Sequence, residues 1–194
     1  MVIKMARKLV FDVGINDADY KIQPIENNRR TCSFFLAWRN MIERCYSEKY
    51  SEKYPTYTGC SVCPEWLTFS NFKKWMIQQD WQGKHLDKDL LVRGNKIYSP
   101  ETCVFVDVSV NSFLTDERSN KGVYPTGVDQ DNRTKILRAR CGNPITGKRE
   151  FLGSFQCQQK AHEAWRLRKN EIANQLADLQ SDNRVADALR KRYA

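Results

Sequence analysis

Histidine is scarce in this 194-residue chain. Only His85 and His162 are present, so chemistry that leans on imidazole has few places to sit. Long apolar runs are missing too: nothing approaches the roughly 18 residues that a membrane helix needs. No basic opening followed by an apolar stretch marks an export signal. The seven cysteines, Cys32, Cys45, Cys60, Cys63, Cys103, Cys141 and Cys157, are odd in number and scattered. Without an export signal they read as reduced thiols of a cytoplasmic protein rather than a disulfide framework. Cys60 and Cys63 have the spacing of half a zinc knuckle, but a second pair at matching spacing is lacking. Free, buried thiols are therefore the expectation over structural Zn²⁺.

Positive charge is what the chain has in excess. It carries 32 Lys and Arg against 23 Asp and Glu, a formal +9, with a pI near 9.2. That balance points to a polyanionic partner such as nucleic acid. With 41% hydrophobic and 11% aromatic residues, the composition is globular, and the length suits one ordinary domain or two small ones.

Periodicity organises the chain as an α+β protein. A strand is expected over Lys8 to Val13, and a shorter one at Tyr20 to Ile22. Phe34, Trp38, Met41, Ile42 and Cys45 recur at helical steps, so Phe34 to Tyr46 is a predicted helix. The near-duplicate Ser47 to Pro55 is polar and reads as a loop. Trp66, Phe69, Phe72 and Met76 form the core stripe of a helix over Glu65 to Met76. Strands are expected at His85 to Leu91 and Cys103 to Val106, with a tight turn at Gly94-Asn95 between them. A short helix carrying Asn111 is expected over Val108 to Leu114. The polar segment 117–126 is the predicted linker between a first domain, 1–116, and a second, 127–170. A helical extension over 171–194 has its break near Ser181-Asp182, and its Ile172, Leu176, Leu179 and Leu189 offer a surface for a protein partner.

In the second domain the pattern turns to strict alternation. Short strands at Gly127 to Asp131, Lys135 to Cys141 and Arg149 to Phe155 predict a three-stranded antiparallel sheet followed by one helix. Ile136, Arg138 and Arg140 share one face, and Leu137 and Ala139 the other. Arg149 and Phe151 likewise stand opposite Glu150 and Leu152. Packing Ala161, Ala164 and Trp165 against Leu137, Ala139 and Leu152 leaves the arginines on an open sheet face. Between Lys121 and Asn170, eleven basic side chains face four acidic ones. Tyr124-Pro125-Thr126-Gly127-Val128, then Ala139-Arg140-Cys141, GKREFLGSF (147–155) and KAHEAW (160–165), together resemble the ethylene-response-factor type of DNA-binding domain. The resemblance covers about fifty residues and implies a sheet that enters the major groove of double-stranded DNA. By position, Arg138, Arg140 and Arg149 become base-reading candidates, while Arg133, Lys135 and Lys148 become phosphate contacts. The chemistry agrees, since Arg offers guanine a bidentate fork and Lys supplies a diffuse charge. Ile136 and Phe151 stand where the plant domains carry more aromatic residues, so a target sequence does not transfer.

In the first domain, His85 and Asp87 lie two apart on one predicted strand and so share a face, an arrangement able to hold a divalent ion. The order of Gly14 to Tyr20, Trp38 to Tyr46, Tyr57 to Trp66, Phe69-Ser-Asn-Phe72, Leu86-Asp-Lys-Asp-Leu90, Gly94 to Cys103 and Asn111 resembles phage-encoded HNH or homing endonucleases. That resemblance implies two strands and a helix around one Mg²⁺ or Mn²⁺. Asp87 and Asn111 would be the metal ligands, and Asn95 would brace the loop. The general-base position falls on Lys88, whose ammonium is protonated at neutral pH. His85 is the geometric substitute, and His162 is expected to be structural or solvent-facing. A nuclease relic that binds DNA without cutting it is the alternative.

Overall fold

The computed structural model describes residues 9–22, 32–115 and 123–194. The chain divides into two compact units, Met1–Gln82 with Leu86–Phe105 and Gly83–His85 with Val106–Ala194. The expected linker lies largely outside the described residues, which exclude its positions 117–122.

The first unit is built on helix α1 (Ser33–Tyr46), whose buried Trp38, Met41 and Ile42 are the stripe that helical spacing demanded. Glu48–Lys53 forms α2, where a loop was expected. The Ser47 hydroxyl accepts the Tyr50 N–H at its start, which satisfies one of the orphan donors of the first turn. Tyr50 packs at a tilt on Tyr54, with ring centroids 4.7 Å apart, and meets Tyr57 edge-on at 5.5 Å. Polarity alone therefore misjudged this segment. Strand β1 (Ser61–Val62) follows, then a 3₁₀ turn at Pro64–Leu67 and helix α3 (Phe69–Met76).

The single helix expected over Glu65 to Met76 is interrupted at Thr68, which is extended. A long-range bridge imposes the break: Ile15 donates to Leu67 and accepts from Phe69, at 2.7 and 3.0 Å. The expected strand near Val13 is a tight turn instead, closed by Val10 and Gly14, with Phe11 and Asp12 at positive φ; Lys8 is outside the described residues. Tyr20 to Ile22 bends and is not a strand. Trp38, Trp66, Phe69, Phe72, Met76 and Tyr98 form the core, and the Trp38 indole N–H donates to the Trp66 carbonyl at 2.7 Å.

Strands β2 (Lys84–Asp87) and β4 (Val104–Asp107) make a two-stranded sheet, and β3 (Ile97–Tyr98) pairs in parallel with β1. β2 stops at Asp87 rather than running to Leu91. The Asp87 carboxylate folds back to accept the N–H groups of Asp89 and Leu90, at 2.8 and 2.7 Å, and so turns the chain. Helix α4 (Val108–Thr115) follows β4 directly.

In the second unit, β5 (Val128–Gln130), β6 (Leu137–Asn143) and β7 (Lys148–Phe155) form an antiparallel sheet in the order β5-β6-β7. Helix α5 (Gln158–Asp178) packs on all three strands, and α6 (Asn183–Arg192) packs on α5. Ala139, Ala161 and Trp165 are buried, as the expected packing requires; Cys141 is buried too, while Leu137, Leu152 and Ala164 are half-buried. The register slips between Ala139/Gly153 and Arg140/Phe151. Leu152 is thus the extra residue of a bulge, and Gly153 takes φ +133 there. Gly127 is obligatory for a different reason: a Cβ on it would come 2.1 Å from the Trp165 ring. Ile172, Leu176 and Leu189 are buried between α5 and α6, whereas Leu179 is 69% exposed. Three of the four residues considered for a protein partner are therefore used inside the unit.

Candidate functional site

The outer face of the β5-β6-β7 sheet carries the arginines. Arg138 pairs across the ladder with Asp129, and Arg140 with Phe151, while Arg149 stands opposite Gly142 at the far end. Phe151 is 60% exposed, an apolar side chain in the middle of a cationic surface. Lys148 and Arg149 are exposed at the start of β7. Arg133 and Lys135 lie in the β5–β6 turn, where Asp131 accepts the N–H groups of Arg133 and Thr134, both at 3.0 Å. Those backbone bonds, ahead of the neighbouring Arg138, hold the Asp131 carboxyl below its ordinary range. Lys135 is left-handed at φ +60 and precedes β6 rather than opening it.

Sequence reading missed one feature of this face. Arg138 is not simply solvated: its Nε and one terminal nitrogen donate to Asp129 at 2.8 and 2.7 Å, and the other to Asp131 at 2.6 Å. Arg140 makes only one looser approach to Asp129, 3.5 Å from Nε. The three arginines are therefore unequal. Arg138 is tied toward β5, while Arg140 makes that single looser pair and Arg149 is exposed at the start of β7. The cross-strand pairing of positions 129 and 138 was the signal that could have revealed this, but it needs the register.

On the helix side, Glu150 accepts from Arg168 Nε at 2.6 Å and from Asn143 at 2.8 Å. The Arg168 hydrogen bond first, then that of Asn143, holds Glu150 down at about 2. His162 stacks on Trp165 with centroids 5.4 Å apart, and its Nδ1 lies 2.9 Å from the Thr126 carbonyl. It is a packing residue, as expected. Lys169 is wholly buried, with its ammonium 2.7 Å from the Phe113 carbonyl and 3.6 Å from that ring's centre. A cation over an aromatic face is stabilised when water is excluded.

The nuclease-like candidates fall in both units. In the first, Asp87, Lys88 and Asn95 hold the loop between β2 and β3. The Lys88 ammonium donates to the Asn95 carbonyl at 2.9 Å and to Asp89 at 3.2 Å. The Asn95 amide donates to the carbonyls of Lys88 and Ile97, at 2.7 and 2.6 Å. Asn95 thus does what a loop brace must do. Lys88, 7% exposed, is a buried side chain whose ammonium is engaged by a carboxylate and a backbone carbonyl. Asp87, 8% exposed, uses one carboxylate oxygen as the turn cap.

In the second unit, His85 is exposed and its Nδ1 lies 3.2 Å from the Asn111 side-chain amide. The Asn111 amide nitrogen is the atom that faces the ring, so it donates to Nδ1, and the proton of the neutral imidazole sits on Nε2. Among the described residues, no group of three His, Cys, Asp or Glu is placed to hold a metal ion. Burial, before other influences, pushes the Cys45 and Cys103 thiols up to about 12. Both stay protonated at neutral pH. Cys60 is buried and Cys63 half-buried at either end of β1.

No helix among the described residues is long and apolar enough to cross a membrane. Compared with family models, curated proteins and solved structures, the chain matches none. Architecture places it in the α+β class, with a three-stranded antiparallel sheet packed on helices.

Proposed function

We propose that this chain is a duplex-DNA-binding protein that reads its site with the outer face of β5-β6-β7, on a chain whose first part is an HNH-type nuclease segment turned to structural use. The observation that carries the reading is the sheet itself: Arg140 and Arg149 on the face that α5 leaves uncovered, with exposed Phe151 beside them. The major groove admits a β-ribbon, here β6 and β7, and there guanidinium forks distinguish guanine and an apolar ring can meet a thymine methyl. Arg133, Lys135 and Lys148 at the turns supply phosphate contacts.

The structural use of the nuclease-like segment is supported by Lys88, which serves as an internal cation. The oxygen donors Asp87 and Asn111 are of the type Mg²⁺ or Mn²⁺ accepts. As folded, however, Asp87 caps a turn and is almost buried, and Asn111 contacts His85. Asp87 spends one carboxylate oxygen on that cap, and no hydrolytic step is drawn from it. Site-specific cleavage of DNA is the second reading, favoured by the exposed His85 held by Asn111.

Selection of binding sequences from a random duplex library, followed by a gel shift across a salt series, tests the first reading. One enriched motif and a steep salt dependence are expected; equal retention of all sequences would overturn site reading. Incubating the selected duplex with Mg²⁺ or Mn²⁺ tests the second. Cleavage lost in His85→Ala and Asp87→Ala would establish an endonuclease and displace the non-cleaving reading.

A further inference from the structure

A cavity of about 450 Å³ opens in the second unit where the β6–β7 end of the sheet meets α4. Arg140, Lys148 and Arg149 line it, with Ser112 and Phe113 from α4 and Trp165 from α5. The duplex reading uses the rim residues Arg140, Lys148 and Arg149 but not the space behind them, toward Ser112, Thr126 and Pro144. Its volume lies in the range of small-molecule sites, far beyond what a lone phosphate fills. Among the described residues that line it, three are cationic and none is Asp or Glu. An anion is therefore favoured, and one with an uncharged body to occupy the remainder.

The walls are held before any ligand arrives. Asn143 accepts the N–H groups of Ile145 and Thr146 at 2.9 and 3.3 Å and donates to Glu150, so the turn between β6 and β7 is braced from beneath. Glu150 is in turn clamped by Arg168. Trp165 is wedged between Gly127 and His162. A preformed cavity loses little freedom on binding.

We infer that this cavity binds one nucleotide unit, with its phosphate among Arg140, Lys148 and Arg149 and its base and sugar in the remaining space toward Ser112, Thr126 and Pro144. On DNA the occupant is an unpaired nucleotide at a strand end or a single-nucleotide bulge, extruded from the stack as base-flipping proteins extrude theirs. This placement on DNA rests on the proposed duplex reading; binding of the free nucleotide does not.

The full chain is titrated calorimetrically with a deoxynucleoside 5′-monophosphate and separately with inorganic phosphate. It is then compared on a paired duplex and on the same duplex carrying a one-nucleotide bulge. Ser112→Phe fills the cavity from an exposed position of α4, and Lys148→Ala with Arg149→Ala removes the rim charge. The nucleotide is expected to bind at least about tenfold more tightly than phosphate, and Ser112→Phe should abolish that binding. The bulged duplex should be preferred by a similar factor, and Ser112→Phe should erase the preference while leaving paired-duplex affinity unchanged. Equal affinity for nucleotide and phosphate, or nucleotide binding untouched by Ser112→Phe, overturns the inference. Nucleotide binding with no affinity for either duplex would keep the cavity assignment and overturn the DNA reading instead.

Discussion

The two units treat their polar side chains in opposite ways. In the first, Asp87, Lys88 and Asn95 face each other across one loop, and their hydrogen bonds serve the backbone. In the second, Arg140 and Arg149 stand on a strand face with packed α5 behind it and solvent in front. Residues that look functional by type can thus be structural, and the distinction lies in whether local partners already satisfy them. A buried ammonium without its partners costs several kcal/mol, so the fold cannot release Lys88 for chemistry. An exposed guanidinium has no such constraint.

The largest test of this contrast is Gly127→Ala. The added methyl meets Trp165 and the backbone must hold φ +82, so a loss of about 3 kcal/mol or more is expected in the second unit. Chemical denaturation followed by near-ultraviolet circular dichroism reads it; an unchanged midpoint would mean Trp165 is not wedged there. Lys88→Met comes next. Removing the cation leaves the Asn95 carbonyl and Asp89 without it, and a loss of about 2–3 kcal/mol is expected, with affinity for the selected duplex unaltered. If stability held while binding fell, Lys88 would belong to the interface.

Smaller effects should separate the arginines. Arg140→Ala and Arg149→Ala are each expected to weaken specific binding by about 1–3 kcal/mol, measured by fluorescence anisotropy. Arg138→Ala should cost less affinity, because its guanidinium is already tied to Asp129 and Asp131. The reverse ranking would show that those pairs open on DNA. The smallest effect concerns pH. Glu150 is held at about 2 against an ordinary 4.5, chiefly by the Arg168 hydrogen bond. Its depressed pKa contributes stability above 4.5, and this is lost as pH falls from there toward 2. The contribution is modest because the pair is partly exposed. Thermal melts over that window should flatten in Glu150→Gln relative to wild type.

Much of the second unit was legible in advance because its signals are short-range. Alternation separated Arg138 and Arg140 from Ala139, and Arg149 and Phe151 from Glu150, whereas the close approach of Gly127 to Trp165 emerged only from the fold. The slip at Leu152 was not legible, since a bulge changes no local pattern. In the first unit, α1 emerged from its apolar spacing. α2 did not, because its stability comes from the Ser47 cap and the Tyr50, Tyr54 and Tyr57 cluster rather than from a buried stripe. The break at Thr68 depended on Ile15, more than fifty residues away along the chain.

Among the candidate site residues, placement and role parted company. Asn95 bonds across its loop and the Asn111 amide meets His85, contacts that residue type alone did not specify. Asp87 as a turn cap and Lys88 as a buried cation do not follow from residue type.

Periodicity and charge, properties of neighbours along the chain, were enough to establish an α+β protein with a basic sheet and a helix behind it. Which charges remain available to a partner was settled by folding, because pairing Asp129 with Arg138, or Lys88 with the Asn95 carbonyl, requires register and turn geometry. The same holds for the cavity beside Arg149: its walls come from α4, the β6–β7 end of the sheet and α5, segments that no local pattern connects.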